Sequence, residues 1–157
     1  MPTVSVNIVD FTPSHQSAFK SLNEQWITKH FRLETADIEP LNHPESILNA
    51  GGFILVALLE KEVIGVCALK KLTKKRYELS KFAVDETKQG LGVGKALLSA
   101  SIAKAKAHRI QTLYLEGNTK LTASIHLYKK FGFKVLEAPN VHSHYERVNL
   151  FMELQLS

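Results

Sequence analysis

The sequence predicts an α+β (mixed α/β) fold, a central mixed, mostly antiparallel sheet of about seven strands flanked by about four helices. Three observations predict it. Apolar runs with strand alternation lie toward both ends of the chain, runs with helical spacing alternate with strands in the middle, and a glycine-rich turn, Gln89 to Ala96, joins a strand directly to a helix. At 157 residues the chain fits one domain, 1–157, that buries roughly 70% of its unfolded surface and needs no disulfide.

In order along the chain, Val4, Val6 and Ile8 alternate with Ser5 and Asn7, which predicts a first strand ending near Phe11. Thr12-Pro13 is an N-cap and first-turn pair, so a helix starts there, with Phe19, Leu22 and Trp26 on its core face beside Ala18. Weak periodicity and two prolines, Pro40 and Pro44, predict a loop from His30 to Pro44, then a short helix from about Glu45 to Asn49 stopped by Gly51-Gly52. Phe53 to Leu59 and Val63 to Leu69, joined at Glu60-Lys61-Glu62, read as a hairpin of central strands. Tyr77 to Val84 is the fourth strand, and alternation puts Glu78, Ser80, Phe82 and Val84 on one face.

The helix after the glycine turn shows Val93, Ala96, Leu97, Ala100, Ala103 and Ala107 at helical spacing, small residues that let it lie close on a sheet. Thr112 to Glu116 is a fifth strand, broken by Gly117-Asn118. A helix follows with Leu121, Ile125, Tyr128 and Phe131 on its apolar stripe, ended by Gly132. Phe133 to Leu136 and Asn149 to Leu156 are closing strands around a loop from Pro139 to Tyr145.

Composition narrows the function classes. A hydrophobic share of 45% and a charged share of 22% are those of an ordinary globular chain. Cys67, the single cysteine, lies in an apolar run and reads as packed in a strand. Neither a signal-like amino terminus nor a run of spanning length is present, so no membrane association and a cytoplasmic setting are expected. The net charge of +5 suits an anionic ligand. Its densest group, Lys70-Lys71 with Lys74-Lys75-Arg76, would serve nucleic acid or a solvated turn equally well. Without a helix-turn-helix, zinc-ligand spacing or interleaved aromatics, no nucleic-acid partner is expected.

The glycine turn carries the chemistry. Gly90, Gly92 and Gly94 allow close backbone approach and positive φ, and a helix that opens there leaves unpaired N–H groups at the positive end of its dipole, a site for phosphate. A dinucleotide fingerprint from Gly90 would need glycine where Lys95 stands. A P-loop ending at Gly94-Lys95 would need glycine at Gln89 and a hydroxyl at Ala96. What remains is Q-x-x-G-x-G between an apolar strand and a helix, or a turn that only caps a helix.

On that motif the chain resembles the GCN5-related N-acetyltransferase (GNAT) family, and its order of elements resembles the acyl-CoA N-acyltransferase fold over nearly the whole length. The resemblance implies acetyl-CoA (coenzyme A) as co-substrate and no metal. It implies that the backbone of Gln89, Gly90, Leu91, Gly92, Val93, Gly94 and Lys95 holds the pyrophosphate. The stretch Asn118-x4-Ala123-x3-Leu127-Tyr128-x3-Gly132-Phe133 is similar to the family a second time. It implies Asn118 near the pantetheine arm and Tyr128 as the acid that protonates the thiolate; a phenol with a pKa near 10 keeps its proton at neutral pH. The packing alternative sets Tyr128 beside Ile125.

Family members often place a glutamate on the fourth strand, which makes Glu78 the candidate base, against the alternative of a partner for Lys81 or Lys70; Glu116 is a second choice. Oxyanion stabilisation falls, by position, to the backbone of Phe82, Ala83 and Val84. His142 and His144 read as loop histidines without a metal set. Arg147 and Arg32 could pair an acceptor's carboxylate or serve as ordinary strand cations. The expected activity is transfer of acetyl from acetyl-CoA to a primary amine of a small molecule or amino-acid-like acceptor, by direct transfer in a ternary complex. A non-catalytic coenzyme A-binding or sensory module and a basic nucleic-acid-binding domain are the alternatives. Family members commonly dimerise, so the resemblance implies a homodimer as an option that no edge or patch in the sequence marks.

Overall fold

The alternating run at the amino end forms strand β1 (Val6–Asp10). Thr12, extended at φ −124°, then precedes a 3-10 turn at Pro13–His15 that leads into helix α1 (Gln16–His30). The computed structural model describes residues 5–88, 90–137 and 143–156. Helix α1 buries Phe19, Leu22, Asn23 and Ile27. Trp26, expected in the core, is instead half-buried, because it stands at the edge of that stripe beside His30 and Phe31 (ring centroids 5.1 and 6.2 Å) and faces a cavity.

The segment read as a loop holds a helix, α2 (Thr35–Asn42), before the expected α3 (Glu45–Asn49). Pro40 removes one N–H donor from α2. Burial of Asp37 and Leu41, one turn apart, outweighs that loss, and the Asp37 carboxylate accepts the N–H of Glu34 (2.9 Å), the residue that opens the helix. The cue in the sequence is the acid three residues after Glu34.

Strands β2 (Phe53–Leu59), β3 (Glu62–Lys71), β4 (Arg76–Val84), β5 (Thr112–Gly117), β6 (Lys134–Val135) and β7 (Leu150–Gln155) complete a seven-stranded sheet in the order β1-β2-β3-β4-β5-β7-β6. Each neighbouring pair is antiparallel except β4 and β5. Their parallel register covers only Arg76–Leu79 against Thr112–Leu115, and beyond Leu79 the two strands share no pair. The sheet therefore splits in its middle, and the split positions the site.

Helix α4 (Val93–Ala107) packs on one face of the sheet, over Leu69, Leu79, Leu113 and Met152, while α1, α2 and α3 pack on the other, over Ile54, Val56, Val66 and Ala83. The buried side of α4 is rotated from the expected stripe. It carries Val93, Leu97, Leu98, Ser101 and Ala105, and Ala103 and Ala107 are exposed, since burying each leucine gains roughly 1.5–3 kcal/mol and an alanine much less. The close approach to the sheet comes from Gly65 on β3. A Cβ there would stand 2.8 Å from Val93 Cγ1 and 2.9 Å from Leu97 Cδ1. Helix α5 (Thr122–Lys130) has no fully buried residue; Leu127 and Tyr128 touch the core, and Ile125, expected on the core stripe, faces the cavity.

Candidate functional site

The split is prepared by a bulge in β4. Register passes from Ala68–Ser80 to Val66–Ala83, so Lys81 and Phe82 together stand against Cys67, and Lys81 takes φ +51°. The extra residue reverses the alternation. Phe82 and Val84 pack with Leu79 on the α4 side and Ala83 packs on the α1 side, so the expectation that Glu78, Ser80, Phe82 and Val84 share one face fails after Ser80. Glu78 thus looks out on one side of the sheet while Phe82 and Val84 look out on the other, a few residues apart.

A cavity of about 1200 Å³ runs through the split. It is lined by Glu78, Phe82, Val84, Gly90, Gly92, Val93, Gly94, Lys95, Asn118 and Tyr128. Of the other positions drawn from the sequence, Ala83 is 1% exposed in the core and offers only its backbone, Leu91 is exposed, and Gln89 lies outside the described residues. The turn behaves as its glycines predict: Gly90 and Gly92 take φ +88° and +70°, conformations that cost other residues about 1–2 kcal/mol. The first helical hydrogen bond of α4 runs from Ala96 N–H to Gly92 O (2.9 Å). The N–H groups of Val93, Gly94 and Lys95 are therefore left at the positive end of the helix, beside the cavity.

Across the cavity, Tyr128 lies edge-on to Phe82 (6.3 Å between ring centroids) and against Phe133 (5.8 Å). Burial, and then the neighbouring Cys67, push its pKa above that of a free phenol, so the hydroxyl is protonated. Cys67 itself is fully buried and its thiol is pushed up to about 12 by burial, which leaves no thiolate at neutral pH. Asn118 stands at the cavity edge with its side chain engaged: Nδ2 donates to Arg147 O (2.7 Å) and Oδ1 accepts the Lys120 N–H (2.8 Å).

On the opposite side of the sheet Glu78 has neither of its expected partners within ion-pair reach. Lys81 turns instead to Asp37 (3.2 Å), and Lys70 stands across the β3–β4 register with its side chain exposed. Burial, and then the Glu116 carboxylate, raise Glu78 to about 7, against the weaker opposing pull of Lys70 and Lys81. Glu116 is held in place by Tyr114 Oη (2.9 Å) and Ser143 Oγ (2.6 Å), both donating.

A buried network beside the bulge has no counterpart in the sequence reading. Asp37, 0% exposed, accepts two hydrogen bonds from Arg147 (2.8 and 2.7 Å) and one from Lys81, which also donates to Tyr145 Oη (3.0 Å). Burial opposes ionisation of Asp37, but the Arg147 hydrogen bonds, the Glu34 N–H and the two nearby cations outweigh it and hold its pKa below the usual carboxylate value. Arg147 also bonds Glu34 (3.1 Å), and on the exposed surface Arg32 pairs with Glu146 (2.6 Å), so both arginines pair with carboxylates of this chain. The network ties α2 and the segment before β7 to the bulge. Its cation–carboxylate pairs join residues 44 to 113 positions apart, which no local pattern could signal. His144 lines the cavity, His142 lies outside the described residues, and no group of three metal-binding side chains occurs among the described residues.

Comparison with known proteins agrees with this architecture. The family model described as "Acetyltransferase (GNAT) family" matches residues 13–133. An N-alpha-acetyltransferase from Sulfurisphaera tokodaii is 42% identical over 67 residues, 42% of this chain, and the chain spans only 40% of that relative's length. An acetyltransferase of the GNAT family from Staphylococcus aureus Mu50 superposes with a TM-score of 0.87 at 22% identity, covering 98% of this chain and 100% of its own. A structure of yncA from Salmonella typhimurium with its cofactor acetyl-CoA superposes with a TM-score of 0.77 at 23% identity, covering 97% and 94%. At these identities the two structures show a shared fold.

Proposed function

Because the chain belongs to the acetyltransferase (GNAT) family, we propose that it moves the acetyl group of acetyl-CoA to a primary amine by direct transfer in a ternary complex. The observation that carries this reading is that the helix N-terminus of α4, Tyr128 and Glu78 line the same cavity at the split between β4 and β5. Acetyl-CoA supplies a thioester and an anionic pyrophosphate. The free N–H groups of Val93, Gly94 and Lys95 fit the pyrophosphate, and the slot between β4 and α5, edged by Phe82 and Tyr128, fits the arm that leads to the thioester.

In this reading Glu78 accepts a proton from the acceptor's amine, whose nitrogen forms the new bond to the acetyl carbon. Backbone N–H groups of the bulge, in the Phe82 to Val84 stretch, stabilise the developing oxyanion. Tyr128 gives its proton to the departing sulfur as the carbon–sulfur bond breaks, and Asn118 sets the β5–α5 turn against the segment before β7. A covalent acetyl-enzyme is disfavoured by the buried, protonated Cys67. The acceptor is an amino-acid-like amine, free as a small molecule or at the head of a peptide; the name of the S. tokodaii relative favours the second.

The test is thiol release from acetyl-CoA against a panel of amines, amino acids and short peptides. Release that depends on an amine supports the proposal. Tight coenzyme A binding with no release for any amine assigns the fold to a non-catalytic module, and failure to bind coenzyme A overturns the reading altogether.

A further inference from the structure

The hairpin turn between β3 and β4 carries charge that the proposed reaction does not use. Lys70, Lys71, Lys74 and Lys75 are all exposed, and none forms an ion pair among the described residues. Arg76, next in the chain, differs: it is committed to Glu153 and lies over the Tyr114 ring (4.8 Å). Lys70 stands opposite Glu78 in the β3–β4 register, and Lys70 and Lys71 both line the cavity that contains Glu78. An arm of the cavity thus leaves the candidate base and passes along lysines to the surface. Its facing wall comes from α2 and α3 and includes one acid, Glu39, with Pro40 and Ser46. The arm is acidic at its inner end, where Glu78 and Glu116 meet, and basic at its mouth.

We propose that the acceptor is the N-terminus of a peptide whose residues after the first are acidic, the amine meeting Glu78 and the following carboxylates lying along Lys70 and Lys71 and then Lys74 and Lys75. The inference rests on the amine-acetylation reading above. The length of the basic run favours a peptide over a free small molecule. Strand β3 ends at Lys71, and Lys74 and Lys75 lie in the turn beyond it, outside the cavity's lining. A small acceptor placed at Glu78 could reach Lys70 but not the turn, whereas about four extended residues reach both. Three or four exposed ion pairs of this kind amount to roughly a 10-fold preference, one that salt screens.

The experiment uses the full chain, acetyl-CoA and three peptides that share the first residue and differ at the next four, which are all acidic, all neutral or all lysine. A neutral small amine serves as an internal reference. The expected result is a kcat/KM roughly 10-fold higher for the acidic than for the neutral peptide, lowest for the basic one. That ratio should fall toward one at about 0.5 M salt, and it should likewise fall toward one in a Lys74→Glu/Lys75→Glu variant, where two attractive and two repulsive contacts offset one another. Because the ratio is read within each protein, a loss of folded variant cancels. Equal kcat/KM for the three peptides, or turnover of the small amine alone, overturns the inference and leaves the acetyltransferase reading standing. So does tight binding of a short RNA without any peptide charge preference, which assigns the turn to nucleic acid. No thiol release with any amine overturns both.

Discussion

Glu78 is asked to be a base, and a base that works near neutral pH must be free, shielded and poised. Its free carboxylate, its burial and its neighbour Glu116 meet those needs, with a value raised to about 7. Glu78→Gln is expected to lower kcat/KM about 100-fold and to remove a limb of the pH–rate profile that rises through about pH 7, read by thiol release from pH 5.5 to 9. The same shift has a stability consequence of opposite sense. Between its ordinary value of 4.5 and about 7 the folded protein holds a proton that the unfolded chain has lost, so stability falls as pH rises through that window. Glu78→Gln should therefore be more stable than the parent above pH 7, by on the order of 2 kcal/mol, as chemical denaturation would show. Tyr128→Phe should lower kcat about 100-fold while leaving coenzyme A affinity nearly unchanged in calorimetry; equal loss of both would mark the ring as packing. Asp37 shows what a residue-level reading misses. Glu78 and Tyr128 stand out by type and spacing, but the worth of Asp37 lies in partners 44 and 110 residues away. Asp37→Ala strands the buried cations Lys81 and Arg147, and it is expected to cost about 3–5 kcal/mol in denaturant melts.

At the scale of elements, the same two devices that were hard to read in the sequence shape the site. The β4 bulge adds one residue to a strand whose alternation looks regular from Tyr77 to Val84, and only the positive φ at Lys81 and the skipped register at Cys67 reveal it. Nothing about a lysine announces a left-handed conformation, so the single face that alternation predicts for Glu78, Ser80, Phe82 and Val84 ends at Ser80. The α2 helix was hidden by Pro40, a penalty that its buried Asp37 and Leu41 overcome only through tertiary contacts. The glycine turn and the helix after it were legible, because positive φ and an open helix end follow from local chemistry alone. The mate of that helix was not: Gly65 lies about 30 positions earlier, and its role appears only when Val93 and Leu97 settle on it. Gly65→Ala would force α4 outward and is expected to cost about 1–3 kcal/mol by thermal melt, with weakened coenzyme A binding because the α4 N-terminus moves with the helix.

Across the whole molecule, the order of the strands and of every helix except α2 follows from periodicity, and the sheet they build has one parallel step, β4 to β5, whose short register opens the cavity. That opening lets groups from opposite faces of the sheet meet, with Tyr128 and the α4 N-terminus reached from one side and Glu78 from the other. No described helix is long and apolar enough to cross a membrane. In the proposed reaction, an acyl donor and an amine that enter the split sheet from opposite faces need no covalent carrier, and the buried Cys67 offers none. Initial rates of thiol release, measured over a grid of acetyl-CoA and amine concentrations, test this most directly. The account predicts intersecting double-reciprocal lines and no thiol released without amine; parallel lines with a burst of one thiol per chain in the absence of amine would contradict it.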